Sequence, residues 1–420
     1  MSKNINTKNI SFLQEFIDRG YLAQCTDLNV LQQKFQEEKI HCYIGFDCTA
    51  HSLHAGSLIQ IMILRLLQKY GHYPIILLGG GTTKIGDPSG KDEARKILDN
   101  QQISQNLLGI KKVLEKFLDF SNNKAMILNN IDWLENLNYI DFLRDIGRHF
   151  SINRMLSFDS VKTRLDREQP LSFLEFNYMI LQAYDFFHLH KNFNCTLQIG
   201  GSDQWGNIVN GVELIRKLNF LEKQNRPEAF GLTTPLLTTA DGKKMGKTAD
   251  GAVWLSIDDL PAFEYFQFFR NSHDDDVIKF LKLFTDMPLE EIDKFSALSG
   301  KDLNQVKEIL AFETTKICHG ENIANDCLYK ARQIFLQKNP DAFEEFYLDL
   351  PENGLKITDI IIAIKATESK ADAKRLIEGK AVKINNNLVN DINHFIIEKH
   401  NFDLAIGKKK FFKIKFNKNA

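Results

Sequence analysis

Between residues 40 and 240, short apolar runs of strand length alternate with stretches of helical spacing, and this alternation limits the fold more than any other feature of the chain. Cys42–Phe46 is one such run, a helix is expected over about Leu53–Tyr70, and Pro74–Leu78 is the next run, leading into Gly79-Gly80-Gly81. Strands interleaved with helices in this way predict βαβ units and an α/β fold built on a doubly wound parallel sheet. Ligands of such sheets bind beyond the carboxyl ends of the strands, so chemistry is expected where these runs finish.

The pattern changes at Pro261, which opens a stretch of helical spacing rich in Phe, Leu and Lys (AFEYFQFFR, DVIKFLKLF, LNQVKEILAFETTKICHG). Pro340 and Pro351-Glu352-Asn353-Gly354 read as a linker. Two further helical patterns and short alternating strands follow, the last of them Lys410–Phe416. A chain of 420 residues suits two or three domains. The expected boundaries are 1–240 for the α/β domain, 241–260 for a loop and linker, 261–345 for an all-helical domain and 354–420 for a small α+β domain.

The formal net charge of −1 hides an asymmetry. Residues 354–420 hold 14 Lys and Arg against 7 Asp and Glu, or +7, which leaves 53 − 14 = 39 basic and 54 − 7 = 47 acidic groups, or −8, in the rest. A basic tail domain on an acidic body fits a polyanionic partner, although a merely solvated Lys-rich terminus has the same composition. No apolar run approaches the roughly 18 to 20 residues that span a bilayer, and the polar start (MSKNINTKNI) has no signal-like segment, so a cytosolic protein without membrane contact is expected. The six cysteines form no C-x-x-C pair and read as free thiols, with no metal site signalled.

Two constellations carry chemistry. Tyr43-Ile44-Gly45-Phe46-Asp47-Cys48-Thr49 leads to Ser52-Leu53-His54-Ala55-Gly56-Ser57 at the start of an amphipathic helix. Glycine at a strand end admits a ligand to the backbone, and a helix N-terminus beside a histidine can hold phosphate oxygens; alone, H-x-G is equally a cap and a packing site. Nearly two hundred residues later comes Gly242-Lys243-Lys244-Met245-Gly246-Lys247-Thr248. Its lysines are compact charges suited to a triphosphate, or simply a solvated turn. Three further segments lie between: Ile85-Gly86-Asp87-Pro88-Ser89-Gly90-Lys91, Asn177–Asp185, and Leu197-Gln198-Ile199-Gly200-Gly201-Ser202-Asp203-Gln204-Trp205-Gly206-Asn207. Tyr178 and Gln182 stand four apart and Asp185 three further on, so one face of one helix presents all three polar groups.

Five motifs in this order resemble the bacterial-type tyrosyl-tRNA synthetases, a family of class I aminoacyl-tRNA synthetases, over nearly the whole chain. The resemblance implies a Rossmann-like catalytic domain, ATP and L-tyrosine as substrates, Mg²⁺ accompanying the triphosphate, tRNA(Tyr) as partner and a homodimer. It further implies that Tyr43 and Asp185 bind the substrate's phenolic hydroxyl, that Asp87, Tyr178 and Gln182 surround its ammonium group, and that Gln204 is a further tyrosine contact. Thr49 and His54 would hold the γ-phosphate, while Lys91, Arg95, Lys244 and Lys247, on two mobile loops, would grip the leaving pyrophosphate. Gly45, Asp47, Gly56, Gly201 and Asp203 would line ATP and the adenylate. Family members often close the first motif with His or Asn where this chain has Ser57. The tail segment from Ser369 to Asn385 resembles an S4 RNA-binding domain, with Lys370, Lys374 and Arg375 as tRNA contacts; Ser369 and Asp372 could form a capping box there.

Three other readings compete. A tryptophan-specific relative would share the architecture, but Asp185 and Tyr43 favour a phenol over an indole. An RNA-binding protein with a lapsed enzyme core is opposed by intact His54, Asp87, Lys244 and Lys247. A nicotinamide dehydrogenase is opposed by Gly79-Gly80-Gly81, which lacks the G-x-G-x-x-G spacing.

Overall fold

In the computed structural model, the structure describes residues 11–89, 98–223, 226–240, 242, 245–248, 251–335, 343–351, 353–407 and 410–417, without the side chains of residues 159, 160, 247, 248 and 335. The chain divides into two compact units, Met1–Ala324 and Asn325–Ala420.

The first unit is built on a six-stranded sheet. Its strands are β1 (Gln24–Cys25), β2 (His41–Asp47), β3 (Tyr73–Gly79), β4 (Met126–Asn129), β5 (Cys195–Gly201) and β6 (Phe230–Thr234), in the order β1-β6-β5-β2-β3-β4. All neighbours are parallel except the short edge strand β1, which runs antiparallel to β6. The expected doubly wound sheet is therefore present. β3 is buried along nearly its whole length, as a strand covered on both faces must be. Strand order reverses between β2 and β5, and the crevice there opens at the carboxyl ends of both strands.

The Phe173–Phe193 helix packs beside this crevice. Ser172 and Glu175 form a capping box at its start, and Asn194, with φ 53°, ends it in the left-handed conformation. Its buried side chains include Met179, Ala183 and Phe186, which share a core with Tyr43, Ile75 and Leu77 of the sheet. Residues beyond Pro261 are helical as expected, in segments Ala262–Arg270, Val277–Phe284, Lys301–His319 and Glu321–Phe335 among others. The Arg19 guanidinium donates to the carbonyls of Lys282, Thr285 and Met287, which joins the start of the α/β region to these helices.

The second unit contains β9 (Glu344–Leu348), β11 (Val382–Ile384), β12 (Asn387–Leu388), β14 (Phe402–Ile406) and β15 (Lys410–Phe416) in one five-stranded sheet of order β12-β11-β14-β15-β9. The short pair β10 (Leu355–Lys356) and β13 (Phe395–Ile396) and the helices Ile357–Ala363 and Lys370–Glu378 complete it. Ile357, Ile360, Ile361, Val382, Leu404 and Ile414 form its core. β9 lies upstream of residue 354 yet runs parallel to β15, the last strand among the described residues. Ser369 caps the Lys370–Glu378 helix, its Oγ accepting from the Asp372 amide at 3.2 Å. The same hydroxyl donates to the Asp372 carboxylate at 2.6 Å, so the acid returns to the serine side chain. All six cysteines are free. Among the described residues no helix is long and apolar enough to cross a membrane.

Candidate active site

A cleft of about 440 Å³ opens at the carboxyl ends of β2, β3 and β5. Tyr43, Gly45, Asp47, Thr49, His54 and Gly56 enter it from β2 and the turn that follows, and Asp87 comes from the segment after β3. Tyr178, Gln182 and Asp185 face it from the Phe173–Phe193 helix, and Gly201, Asp203 and Gln204 from the end of β5. Thirteen residues scattered over 162 positions thus share one cavity wall. Lys91, Arg95 and Lys244 lie outside the described residues, as does the side chain of Lys247, whose backbone forms β7 (Lys247–Thr248) paired with β8 (Gly251–Ala252).

The deep end of the cleft is polar and buried. Asp185 is 2% exposed, and its carboxylate accepts from Asn130 Nδ2 at 2.8 Å and Trp133 Nε1 at 2.7 Å. Burial pushes its carboxyl up to about 7 against the lowering effect of those two donors. Beside it, the Tyr43 hydroxyl has no hydrogen-bond partner among the described residues, although Tyr43 is only 1% exposed. Burial, reinforced by the charge of Asp185, raises that phenol well above its ordinary range, so it stays a donor. A buried hydroxyl left unpaired in a cavity wall calls for a partner from outside the chain.

Further out, Asp87 accepts from the Ser89 amide at 2.9 Å and from Gln204 Nε2 at 2.7 Å, and burial raises its carboxyl. Asn207 Nδ2 donates to Gln182 Oε1 at 2.9 Å and to Gln204 Oε1 at 3.1 Å, fixing the orientation of both amides. Tyr178 has a second duty beyond its place in the wall: its hydroxyl donates to Asp47 Oδ2 at 3.0 Å, and Thr82 Oγ1 donates to Asp47 Oδ1 at 2.8 Å. Asn130, Trp133, Thr82 and Asn207 are structural partners that no motif marked. Asn207 alone lay inside a recognised segment, where an amide one helical turn after Gln204 was the available signal.

At the mouth of the cleft, His54 caps a short 3-10 turn, its Nδ1 accepting from the Gly56 amide at 2.9 Å. The late Lys-Gly loop meets the first motif here. Gly246 has φ +83°, and a Cβ on it would collide with the Gly56 amide. Leu237 accepts from the Met245 amide and Gly246 from the Val253 amide, each at 3.0 Å, so the loop approaches on two anchored arms. Among the described residues no group of three or more His, Cys, Asp or Glu side chains gathers in a way that could hold a metal ion.

The model of the class I tRNA synthetases of the tryptophanyl and tyrosyl kind (W and Y) matches residues 35–336. A tyrosine–tRNA ligase of Wolbachia pipientis from Culex pipiens is 54% identical over 416 residues, covering 96% of this chain and 97% of its own length. The Rickettsia typhi tyrosine–tRNA ligase is 52% identical, covering 97% of this chain and all of its own. Among solved structures, a C-terminally truncated mitochondrial tyrosyl-tRNA synthetase of Aspergillus nidulans superposes with a TM-score of 0.69 at 31% identity, covering 79% of this chain and 95% of that one. With its parallel sheet, its crevice and its motifs in one cleft, the chain belongs to the class I tRNA synthetases and, within them, to the bacterial-type tyrosine–tRNA ligases.

Proposed function

We propose that the protein joins L-tyrosine to ATP, giving tyrosyl-adenylate and pyrophosphate, and then passes the tyrosyl group to the 3′-terminal adenosine of tRNA(Tyr). The observation that carries the amino-acid specificity is the unpartnered Tyr43 hydroxyl beside the buried Asp185 carboxylate. A phenol entering there accepts from Tyr43 and donates to Asp185. The substrate ammonium then reaches the Asp87, Gln182 and Gln204 end of the cleft, where one acid and two oriented amide oxygens supply acceptors. Tyr178 acts there chiefly by holding Asp47.

The tyrosine carboxylate is already ionised, so attack in line on the α-phosphorus needs no general base. Catalysis comes from positioning and from stabilising charge on the triphosphate. Thr49 and His54 stand at the mouth on the first-motif side, where the γ-phosphate would lie, and Gly45, Gly56, Gly201 and Asp203 leave room for the nucleotide. Lys91, Arg95, Lys244 and Lys247 are the cations proposed for the leaving pyrophosphate, and Ser57 takes the last place of the first motif as a hydroxyl donor. Mg²⁺ would accompany the triphosphate and would neutralise part of its charge. The Asp47 and Asp87 oxygens are already engaged by hydroxyl, amide and backbone donors, which fits a cation carried by the substrate better than one resident on the protein. In the second step a ribose hydroxyl, the 2′ by class, attacks the adenylate carbonyl.

The pH profile tests the phenol contact. Asp185 accepts a phenol more strongly when ionised, and burial pushes its carboxyl up to about 7. The kcat/KM for tyrosine in ATP–pyrophosphate exchange should therefore fall about tenfold from pH 8 to pH 6. Phenylalanine, which lacks the hydroxyl, should show no such step, and parallel curves for the two would sink the assignment. The sign for stability is opposite. The folded form binds the extra proton between about 4 and 7, so this group's contribution declines as pH rises through that window.

Two broader readings belong here. Tyr139, Ile140, Ile152 and Phe173 are 58%, 68%, 64% and 70% exposed on helices that pack into the same core as Tyr43, apolar side chains that a second copy of the chain would cover. Sedimentation should then report twice the 48.3 kDa of one chain, and a monomer at micromolar concentration would dismiss the dimer. The reaction is placed in the cytoplasm with translation, to be checked by cell fractionation.

A further inference from the structure

We propose that His51 and Asp259 are positioning residues that hold the segment after the second motif against the first, an inference that rests on the function proposed above. Beyond β8, Val253-Trp254-Leu255 runs antiparallel to Leu53-His54-Ala55. The Ala55 amide donates to the Val253 carbonyl at 2.7 Å, the Leu255 amide donates to the Leu53 carbonyl at 2.9 Å, and His54 and Trp254 pair across the bridge. Two hydrogen bonds make a short zip, and pairings of that length are marginal without support.

Support comes from just outside it. His51 Nε2 lies 2.6 Å from Asp259 Oδ1, and the Trp254 ring sits 5.3 Å from the His51 ring and 6.3 Å from the His54 ring. The histidine side chain is 57% exposed and the aspartate side chain 21%. On its other side the His51 loop rests on a rigid element. A Cβ on Gly109 of the Asn100–Phe117 helix would collide with the His51 carbonyl, and Asn106 Nδ2 of that helix donates to the Cys48 carbonyl at 2.8 Å. The turn bearing Thr49 and His54 is thus backed by a helix, and Asp259 pins the incoming segment to that same turn.

His51 and Asp259 do not line the cleft, so losing their pair leaves the tyrosine contacts in place. What changes is how often the second motif, which follows Val253 through its bond to Gly246, stands correctly against Gly56. An exposed pair of this kind is worth up to about a fivefold change in the populated arrangement.

The test uses the full-length protein and the variants His51→Ala, Asp259→Asn, the two combined, and His51→Lys, which restores an N–H donor able to reach Asp259. Each single loss should lower the adenylation rate at saturating tyrosine and ATP about fivefold. The KM for tyrosine should stay within a factor of two, the double variant should fall no further, and His51→Lys should recover the rate to within about twofold. In parallel, hydrogen exchange of the peptide covering residues 253–257 should quicken by a similar factor. Unchanged exchange of that peptide, unchanged adenylation in the single variants, or losses that multiply in the double variant would each overturn the proposal. If the unmodified protein failed to exchange pyrophosphate with tyrosine, the proposed function would fall instead, and the amide exchange would still decide whether the pair holds the segment.

Discussion

With Asp185 replaced by alanine, kcat/KM for tyrosine in ATP–pyrophosphate exchange should fall by two to three orders of magnitude, while that for phenylalanine changes less than about tenfold. A hydrogen bond to a charged acceptor is worth about 1.5–3 kcal/mol, and here the removal costs more than one bond. Asn130 Nδ2 and Trp133 Nε1 both aim at the Asp185 carboxylate, and without it they become buried donors facing an emptied site. Phenylalanine never used the carboxylate, so discrimination between the two amino acids should narrow. Equal losses for both, with circular dichroism showing an altered fold, would mean that Asp185 serves only the architecture. Asp185→Asn separates these cases, because it keeps the shape while turning one acceptor oxygen into a donor.

Ending the chain between Phe335 and Phe343 should leave tyrosine-dependent pyrophosphate exchange within about twofold and cut tRNA charging at least a hundredfold at submicromolar tRNA. Every cleft-lining residue lies before the cut. The second unit has a core of its own around Ile360, Ile361, Leu404 and Ile414, so the first can fold without it. The place of the cut matters. At Gly354 it would leave β9 behind, deprived of the β15 edge with which it pairs. Lys370, Lys374 and Arg375 are exposed on the Lys370–Glu378 helix, within a region of formal charge +7. Lys370 and Arg375 already have acidic neighbours, Asp359 at 2.7 Å and Asp372 at 3.1 Å, so binding RNA there exchanges partners as well as releasing counterions. The tRNA affinity of the intact protein should still fall steeply with salt. Full charging by the truncated chain with an unchanged salt slope would remove the tail as the tRNA contact.

The sequence made the sheet readable because strands buried on both faces leave continuous apolar runs, and β2 and β3 occur where those runs stand. The Tyr178, Gln182 and Asp185 face was readable for a similar reason: helical periodicity is local, and one capped helix carries all three. What stayed hidden was relational. Asn130 and Trp133 are 55 and 52 residues from Asp185, in a stretch whose composition is that of any short helix after a strand. Tyr178 reaches Asp47 across 131 residues, so its hydroxyl's partner was invisible to any spacing rule. β9 was hidden for another reason. Glu344-Glu345-Phe346-Tyr347-Leu348 is a half-exposed edge strand, and little in it announces a sheet until β15 supplies the other edge.

That late pairing has a consequence for the order in which the chain is made. β9 ends at residue 348 and the strand it must join begins at residue 410, so β9 leaves the ribosome well before its partner, and β14 pairs with the other edge of that partner strand. Until Lys410–Phe416 emerges, the second unit is a set of elements missing the strand that links them. The first unit has by then been free to close for nearly a hundred residues of synthesis. A nascent chain therefore closes its cleft before its second unit, and a stop codon ahead of Lys410 would spare the former while dissolving the latter.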